Sequence, residues 1–465
     1  MQRKKIMNRV AKILFSMVAF MAVATWSAAA QTSATNAFSP YSMYGIGELN
    51  TQGTLPMRSM GGVGLAWRST SMSNLLNPAG YSATLRKSFI FNFGAEGMHV
   101  MNSQNRYDAT SGAALGRVKN SKTSINFHEI ALQMPLAKGL GLGFSLTPYS
   151  SVGYNTTAIE QDENTWAEVG QVKYNYQGEG DITEVKLGIG WEIFKGFSLG
   201  VAGMYYWGDI DREYSSQVTH DIVGDGSYLA AMGKNNFSVS NFKFQVGAQY
   251  SVINNDKRSL TIGATYDIGG SLRPKVTKSV YLNDAFTTEV YREDERGEIR
   301  LPMQIAGGVF YQDVKWSVGF DYVYQNWKGK NAKLTETIDN GFEVAYANTS
   351  TYKVGVEYTP NRFDVRRYYN RMSYRAGLRY GNYYQTFAGK QLNQYAVTVG
   401  VGFPLRFLGA SSIDVGFEYG GRGTNATATA VSGARIGLVR QHYFKFAIGL
   451  SMFGEDYWFV RPKYD

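Results

Sequence analysis

From residue 140 the chain reads Leu140, Leu142, Phe144 and Leu146 on one side and Gly141, Gly143, Ser145 and Thr147 on the other. A repeat of two residues is the strand period, so the stretch has one apolar face and one small or polar face. The alternation returns at Leu260, Ile262, Ala264, Tyr266 and Ile268 against Thr261, Gly263, Thr265 and Asp267, and at Phe444, Phe446, Ile448 and Leu450. Fourteen such segments fall between residues 88 and 452. Their connections alternate too: "PLAKG", "FKG", "INNDKRS" and "QDV" are tight, whereas 101–121, 152–180, 210–239, 272–300 and 328–349 are long and polar. An even strand number, with short turns at one end and long loops at the other, is the pattern of a bacterial outer-membrane barrel. The sequence predicts an all-β chain, a 14-stranded antiparallel transmembrane β-barrel with both chain ends in the periplasm. A soluble sandwich also alternates, but it buries its apolar face and rarely sustains so many strands with aromatic residues at their ends.

Composition agrees with this reading. Gly 52, Tyr 33, Phe 26 and Trp 8, with 18% charged residues, describe a Gly- and aromatic-rich β-protein. After residue 30 no apolar run approaches the roughly 18 to 20 residues of a transmembrane helix, so only a closed barrel could cross a membrane. The first thirty residues read as an export signal: Arg3, Lys4, Lys5, Arg9 and Lys12, then apolar Ile13 to Trp26, then Ala28-Ala29-Ala30 before Gln31. A cleaved signal peptide is expected over 1–30, directing the protein to the bacterial outer membrane; an uncleaved anchor fits the short apolar run and the Ala triplet less well. Beyond residue 30 there are 42 Lys and Arg against 37 Asp and Glu, a dispersed excess that makes no nucleic-acid footprint. The chain has no Cys, which excludes disulfides and thiolate metal sites.

The first strand is delayed until about residue 87. A fourteen-strand barrel has a lumen too wide for its own wall side chains to fill, and residues 31–86 are the available occupant. They are expected to form an N-terminal hatch, followed by the barrel over 87–465. Gly61, Gly62, Gly64 and Ala66 permit close backbone approach to an inner wall, and Asn77-Pro78 stops any helix. The alternative for this segment is a flexible periplasmic leader.

The stretch "RSMGGVGLAWRSTSMSNLLNPAGYSA" resembles the N-terminal hatch signature of the FadL/TodX family of outer-membrane channels for long-chain fatty acids and other hydrophobic compounds. There a Gly/Ala-rich run precedes Asn-Pro-Ala, here Asn77, Pro78 and Ala79. "RLPMQIAGGVFYQDVKWSVGFDYVYQNW" and "YKVGVEYTP" resemble later segments of that family in order, and "FSPYSMYGIGELN" resembles its Bacteroidetes version. The resemblance implies passive uptake of a fatty-acid-like compound, hatch or gating roles for Gly61, Gly62, Gly64, Asn77, Pro78 and Ala79, and contact with outer-membrane lipid. It fixes no ligand-contact residue. The ending "YWFVRPKYD" departs from the usual terminal aromatic, leaving Trp458 and Phe459 several residues inside. A different class of function is kept beside it: a barrel subunit or adaptor of an outer-membrane secretion or assembly complex, engaging a protein through the long external loops and transporting no small molecule.

No enzyme or cofactor is expected. "GFSLG" at 196–200 matches G-x-S-x-G, but Ser198 enters an alternating strand rather than a strand-to-helix elbow. His99, His128, His220 and His442 lack metal-ligand spacing, and "EDERGE" at 293–298 reads as a solvated loop. Gly clusters such as "GLGLG" lie inside strands with no following helix, so they read as room for a hatch, not a phosphate cradle. Asp321, in an apolar-alternating strand, should face the lumen and pair with an Arg of hatch or wall.

Overall fold

The protein was analysed as a computed structural model that describes residues 38–455, apart from 109–110, 161–165, 168–169, 221–229, 256, 271, 283–285, 298, 332–334, 338–342, 388, 406–409, 424–426 and 430–434. The expected signal peptide, residues 31–37 and the tail with Trp458 and Phe459 lie outside the described residues. Fourteen antiparallel strands make the wall: β1 Ser88–Tyr107, β2 Ala114–Ala137, β3 Leu140–Ile159, β4 Gln171–Phe194, β5 Phe197–His220, β6 Ala231–Asn254, β7 Arg258–Ile268, β8 Met303–Asp313, β9 Trp316–Asn326, β10 Thr349–Tyr358, β11 Ser373–Phe387, β12 Lys390–Pro404, β13 Ser412–Gly423 and β14 Arg440–Glu455. Each pairs with its sequence neighbours, and β1 pairs with β14 from Ser88↔Glu455 to Ser103↔Arg440, closing the ring.

The two faces of the wall divide as the alternation demands. Phe144, Ile262, Val397 and Phe446 are exposed on the outside, while Gly141, Thr261, Thr398 and Lys445 are buried inside. An apolar exterior around a polar interior is what lipid on one side and a lumen on the other select.

The expected loops at 101–121, 152–180 and 210–239 are largely not loops. β1 to β6 continue as paired strands of 20 to 24 residues, about twice the 9 to 11 residues that cross a bilayer. The segment 272–300 likewise holds a hairpin, Lys275–Leu282 with Thr288–Arg296, whose first strand pairs with the upper part of β6. Both faces of a ribbon above the bilayer meet water. The hydrogen-bonded ladder therefore persists where the apolar period vanishes.

Residues 38–86 hold only short elements: a 3-10 turn Pro40–Met43, a bridge Glu48–Leu49, a helical turn Leu55–Arg58 and a 3-10 turn Pro78–Ala83. Two apolar clusters join this segment to the wall. Tyr41 and Ile46 pack with Val152, Tyr206, Trp327 and Tyr384 towards the external end. Met57, Met60, Val63 and Trp67 pack with Phe310 lower down, where the Trp67 and Phe310 rings stack at 5.1 Å.

Candidate functional site

The N-terminal segment touches the inward side of every strand, and the six residues singled out in the sequence all lie at these contacts. Gly61 has φ +73°, its N–H donates to Thr398 Oγ1 (2.9 Å), and a Cβ there would lie 2.7 Å from the Leu378 carbonyl oxygen. Both the left-handed backbone and the close wall require glycine. Gly62 accepts from Lys353 Nζ (3.2 Å), and Gly64 N–H donates to Asp321 Oδ2 (2.7 Å). Asn77 is fully buried and caps the Pro78–Ala83 turn by accepting from the Ala79 N–H (3.0 Å). Its Nδ2 donates to the Leu65 carbonyl (2.8 Å) and to the Ala248 carbonyl of β6 (3.1 Å). Pro78 and Ala79 press on Gly200 of β5, where an added Cβ would lie 2.4 Å from their backbone.

Several fasteners went unread in the sequence. Tyr81 fills the space over Gly141 and Gly143, and a Cβ on Gly143 would lie 2.3 Å from its ring. Asn74 Nδ2 ties the Gly64 and Trp67 carbonyls (2.9 and 2.7 Å), while its Oδ1 accepts from the Leu76 and Asn77 amides. Arg58 Nη2 reaches Glu96 Oε2 of β1 at 2.5 Å, the Leu55 N–H reaches Glu129 of β2 at 3.0 Å, and Glu48 pairs with Arg422 of β13. The available signal was a charged residue at the inward register of an alternating strand. Asp321 carries that signal and does face inward. Its Oδ2 accepts the Gly64 and Leu65 amides (2.7 and 3.0 Å), two backbone N–H groups of a tight turn, and among the described residues no Arg pairs with it.

Three of the residues weighed for chemistry, Ser198, His99 and His442, make side-chain hydrogen bonds to neighbouring strands or to the N-terminal segment. Ser198 Oγ accepts from Arg68 (2.6 Å) and from Ser82 (2.9 Å), joining β5 to the segment. His99 bonds Thr123 and His442 bonds Tyr419, and the His220 side chain lies outside the described residues. Among the described residues no three His, Asp or Glu side chains group to hold a metal.

One seam of the wall is incomplete. β2 and β3 pair from Ala137↔Leu140 only up to Ile130↔Leu146. By contrast, β1–β2 pairing continues to Tyr107↔Ala114 and β3–β4 pairing to Ile159↔Lys173. Pro148, which has no N–H to donate, stands just above the last pair, and the β3–β4 register shifts between Pro148 and Ser150. Above it the N-terminal segment takes the place of β2. Glu48↔Ser151 and Leu49↔Ser150 pair antiparallel. The Asn50 N–H donates to the Tyr149 carbonyl and the Ser39 N–H to the Gly153 carbonyl, both at 2.9 Å.

A closed fourteen-strand barrel with an apolar exterior and a polar, occupied lumen is an outer-membrane β-barrel. Solved structures share the fold. A FadL homologue of Pseudomonas aeruginosa matches at TM-score 0.60 and 14% identity, over 87% of this chain and 99% of its own. The toluene transporter TodX of P. putida matches at 0.53 and 15%, over 87% and 99%. The monoaromatic hydrocarbon channel CymD matches at 0.52 and 12%, over 87% and 97%. No curated protein matches the chain in sequence. The BamG family model matches residues 10–465, and the chain belongs to the BamG family.

Proposed function

We propose that the barrel carries small hydrophobic compounds across the outer membrane, taking them in at the external face and releasing them sideways at the β2–β3 seam. The observation behind this reading is the ladder that stops at Ile130↔Leu146. Unpaired backbone inside a bilayer is costly, so a seam covered by a separate segment is where the wall can part with least loss elsewhere. An apolar molecule gains little from a water-filled pore and more from a route that keeps it out of water. Buried Ile182, Tyr206, Leu272, Trp327 and Tyr384 give the external half of the lumen an apolar, aromatic character. In this reading residues 1–30 are the signal peptide and 31–86 the hatch, held by Gly61, Gly62, Gly64, Asn77, Pro78 and Ala79. A fatty-acid-like substrate, as the resemblance to the FadL/TodX family implies, and the monoaromatic hydrocarbons named for TodX and CymD would meet the same lining.

Because the chain has no cysteine, Leu49→Cys with Ser150→Cys supplies a single thiol pair at a cross-strand position. When oxidised, the pair ties the segment to β3. Cellular uptake of a labelled apolar probe should then fall to the level of cells lacking the barrel and recover on reduction. Equal uptake by oxidised and reduced barrels would exclude opening at the seam.

The ribbons favour a second reading, a subunit or adaptor of a secretion or assembly complex. Leu115, Val118, Ile159 and Tyr214 stand exposed on strands that run beyond the bilayer. Native mass spectrometry of gently extracted barrel separates the two. A stoichiometric apolar molecule supports the channel, and a stoichiometric protein supports the subunit.

A further inference from the structure

At the periplasmic end β2–β3 and β4–β5 turn within two residues, Lys138-Gly139 and Lys195-Gly196. Between β10 and β11 the chain instead makes a longer hairpin, 359–372, seven strands round the ring from β3. It begins where Tyr358 and Tyr374 are cross-strand partners and the Trp316 and Tyr358 rings lie 4.4 Å apart. Aromatic residues of this kind mark the lipid–water boundary, so the hairpin extends on the water side.

The hairpin has a fixed shape. The Thr359 N–H donates to the Lys315 carbonyl (2.8 Å) and the Asn361 N–H to the Asn370 carbonyl (2.7 Å). Asp364 Oδ1 accepts the Arg366 and Arg367 amides (2.8 and 2.9 Å), and its Oδ2 accepts from Asn370 Nδ2 (2.5 Å). These bonds, that of Asn370 foremost, hold the Asp364 carboxyl below its ordinary range. The stapled tip presents Phe363, 86% exposed and the most exposed large apolar side chain among the described residues, beside Val365 at 80%. Arg362, Arg366 and Arg367 are exposed around it, and Asp364, the hairpin's one acid, is occupied by the staple. Exposed Arg86, Lys87, Lys138, Lys195 and Lys315 extend the positive charge round the same rim.

We propose that this hairpin docks a periplasmic protein that offers an apolar pocket for Phe363 with Asp and Glu around its mouth. An aromatic anchor ringed by guanidinium groups on a rigid turn is the composition of an interface hot spot. The surrounding positive charge steers an acidic surface and repels a basic one. The inner-leaflet surface is the lesser candidate, because Phe363 lies five residues past the Tyr358 boundary, beyond the end of the β10–β11 ladder at Tyr358↔Tyr374. The inference is independent of the route through the seam.

The test is photocrosslinking in cells from a benzophenone side chain at position 363, with position 448 as a lipid-facing control. A discrete protein adduct is expected at 363 only. Arg366→Glu with Arg367→Glu should abolish it in barrels of unchanged heat-modifiable mobility, since the hydrogen bonds of Asp364 to those residues are to their backbone amides. Replacing acids of the crosslinked peptide with Lys should restore the adduct. If the charge reversal impairs assembly, the Gln pair at 366 and 367 replaces it, with a partial loss expected. Adducts to lipid alone, or a protein adduct indifferent to both substitutions, would overturn the proposal.

Discussion

Replacing Asp321 by Ala removes the carboxylate oxygen that accepts two buried backbone donors, the Gly64 and Leu65 amides. Asp321 is fully buried, so water does not readily take its place. Leaving a buried donor unsatisfied costs about 1 to 3 kcal/mol, and two together cost about 2 to 6 kcal/mol. The loss falls on the turn at 60–67, because the ladders of Asp321 to β8 and β10 are backbone pairs that the substitution leaves intact. Each 1.4 kcal/mol is a factor of ten, so the turn should open about 30-fold to 10⁴-fold more often. Hydrogen exchange followed by mass spectrometry reads this directly. Peptides covering 60–67 should exchange faster by at least that lower factor, and peptides of β12 should not change. A change under threefold at 60–67, or an equal acceleration round the whole barrel, would falsify the assignment of Asp321 as a fastener of the segment.

Two further outcomes follow from the same contacts. Gly143→Leu puts a side chain where the Tyr81 ring now lies, 2.3 Å from an added Cβ; the barrel should still assemble, but limited proteolysis should cut at 78–84, and retained protection would show that the fit is loose. Arg58→Met strands Glu96, whose remaining partner Lys445 stands at 3.3 Å. Removing one member of a buried pair costs about 3 to 5 kcal/mol, so the urea midpoint in detergent should drop, and adding Glu96→Leu should recover most of the loss. A single variant as stable as the parent would mean that the pair carries little energy.

The wall was legible because lipid outside and a lumen inside force a two-residue period, and from that period come the strand number, the two faces of each strand and the inward position of Asp321. Its partners were not legible. They lie more than 250 residues away along the chain, and no local pattern reports which turn of the segment will meet which strand. The ribbons of β1 to β6 were missed for the opposite reason, since water on both sides removes the signal while the ladder continues. Pro148 did carry a hint, because proline within a strand belongs at an edge. Which neighbour it releases is decided by tertiary pairing. The "TPNRFDVRRYYNRM" stretch reads as an ordinary polar connection until the structure shows Phe363 held out at its tip.

The contacts of the N-terminal segment also constrain how the molecule can be made. Ser39 bonds Gln441, Tyr384 bonds the Gly47 carbonyl, and Gly61 bonds Thr398, separations of 402, 337 and 337 residues. Contacts that span most of the chain cannot form until its far end is in place, and they carry the full entropy of closing that loop. Residues 38–86, which precede every wall strand, therefore complete their native surroundings only once the last strands are in place. Until β14 meets β1, residues 38–86 are an exported chain with little structure of their own, and any factor that shields them acts during that interval.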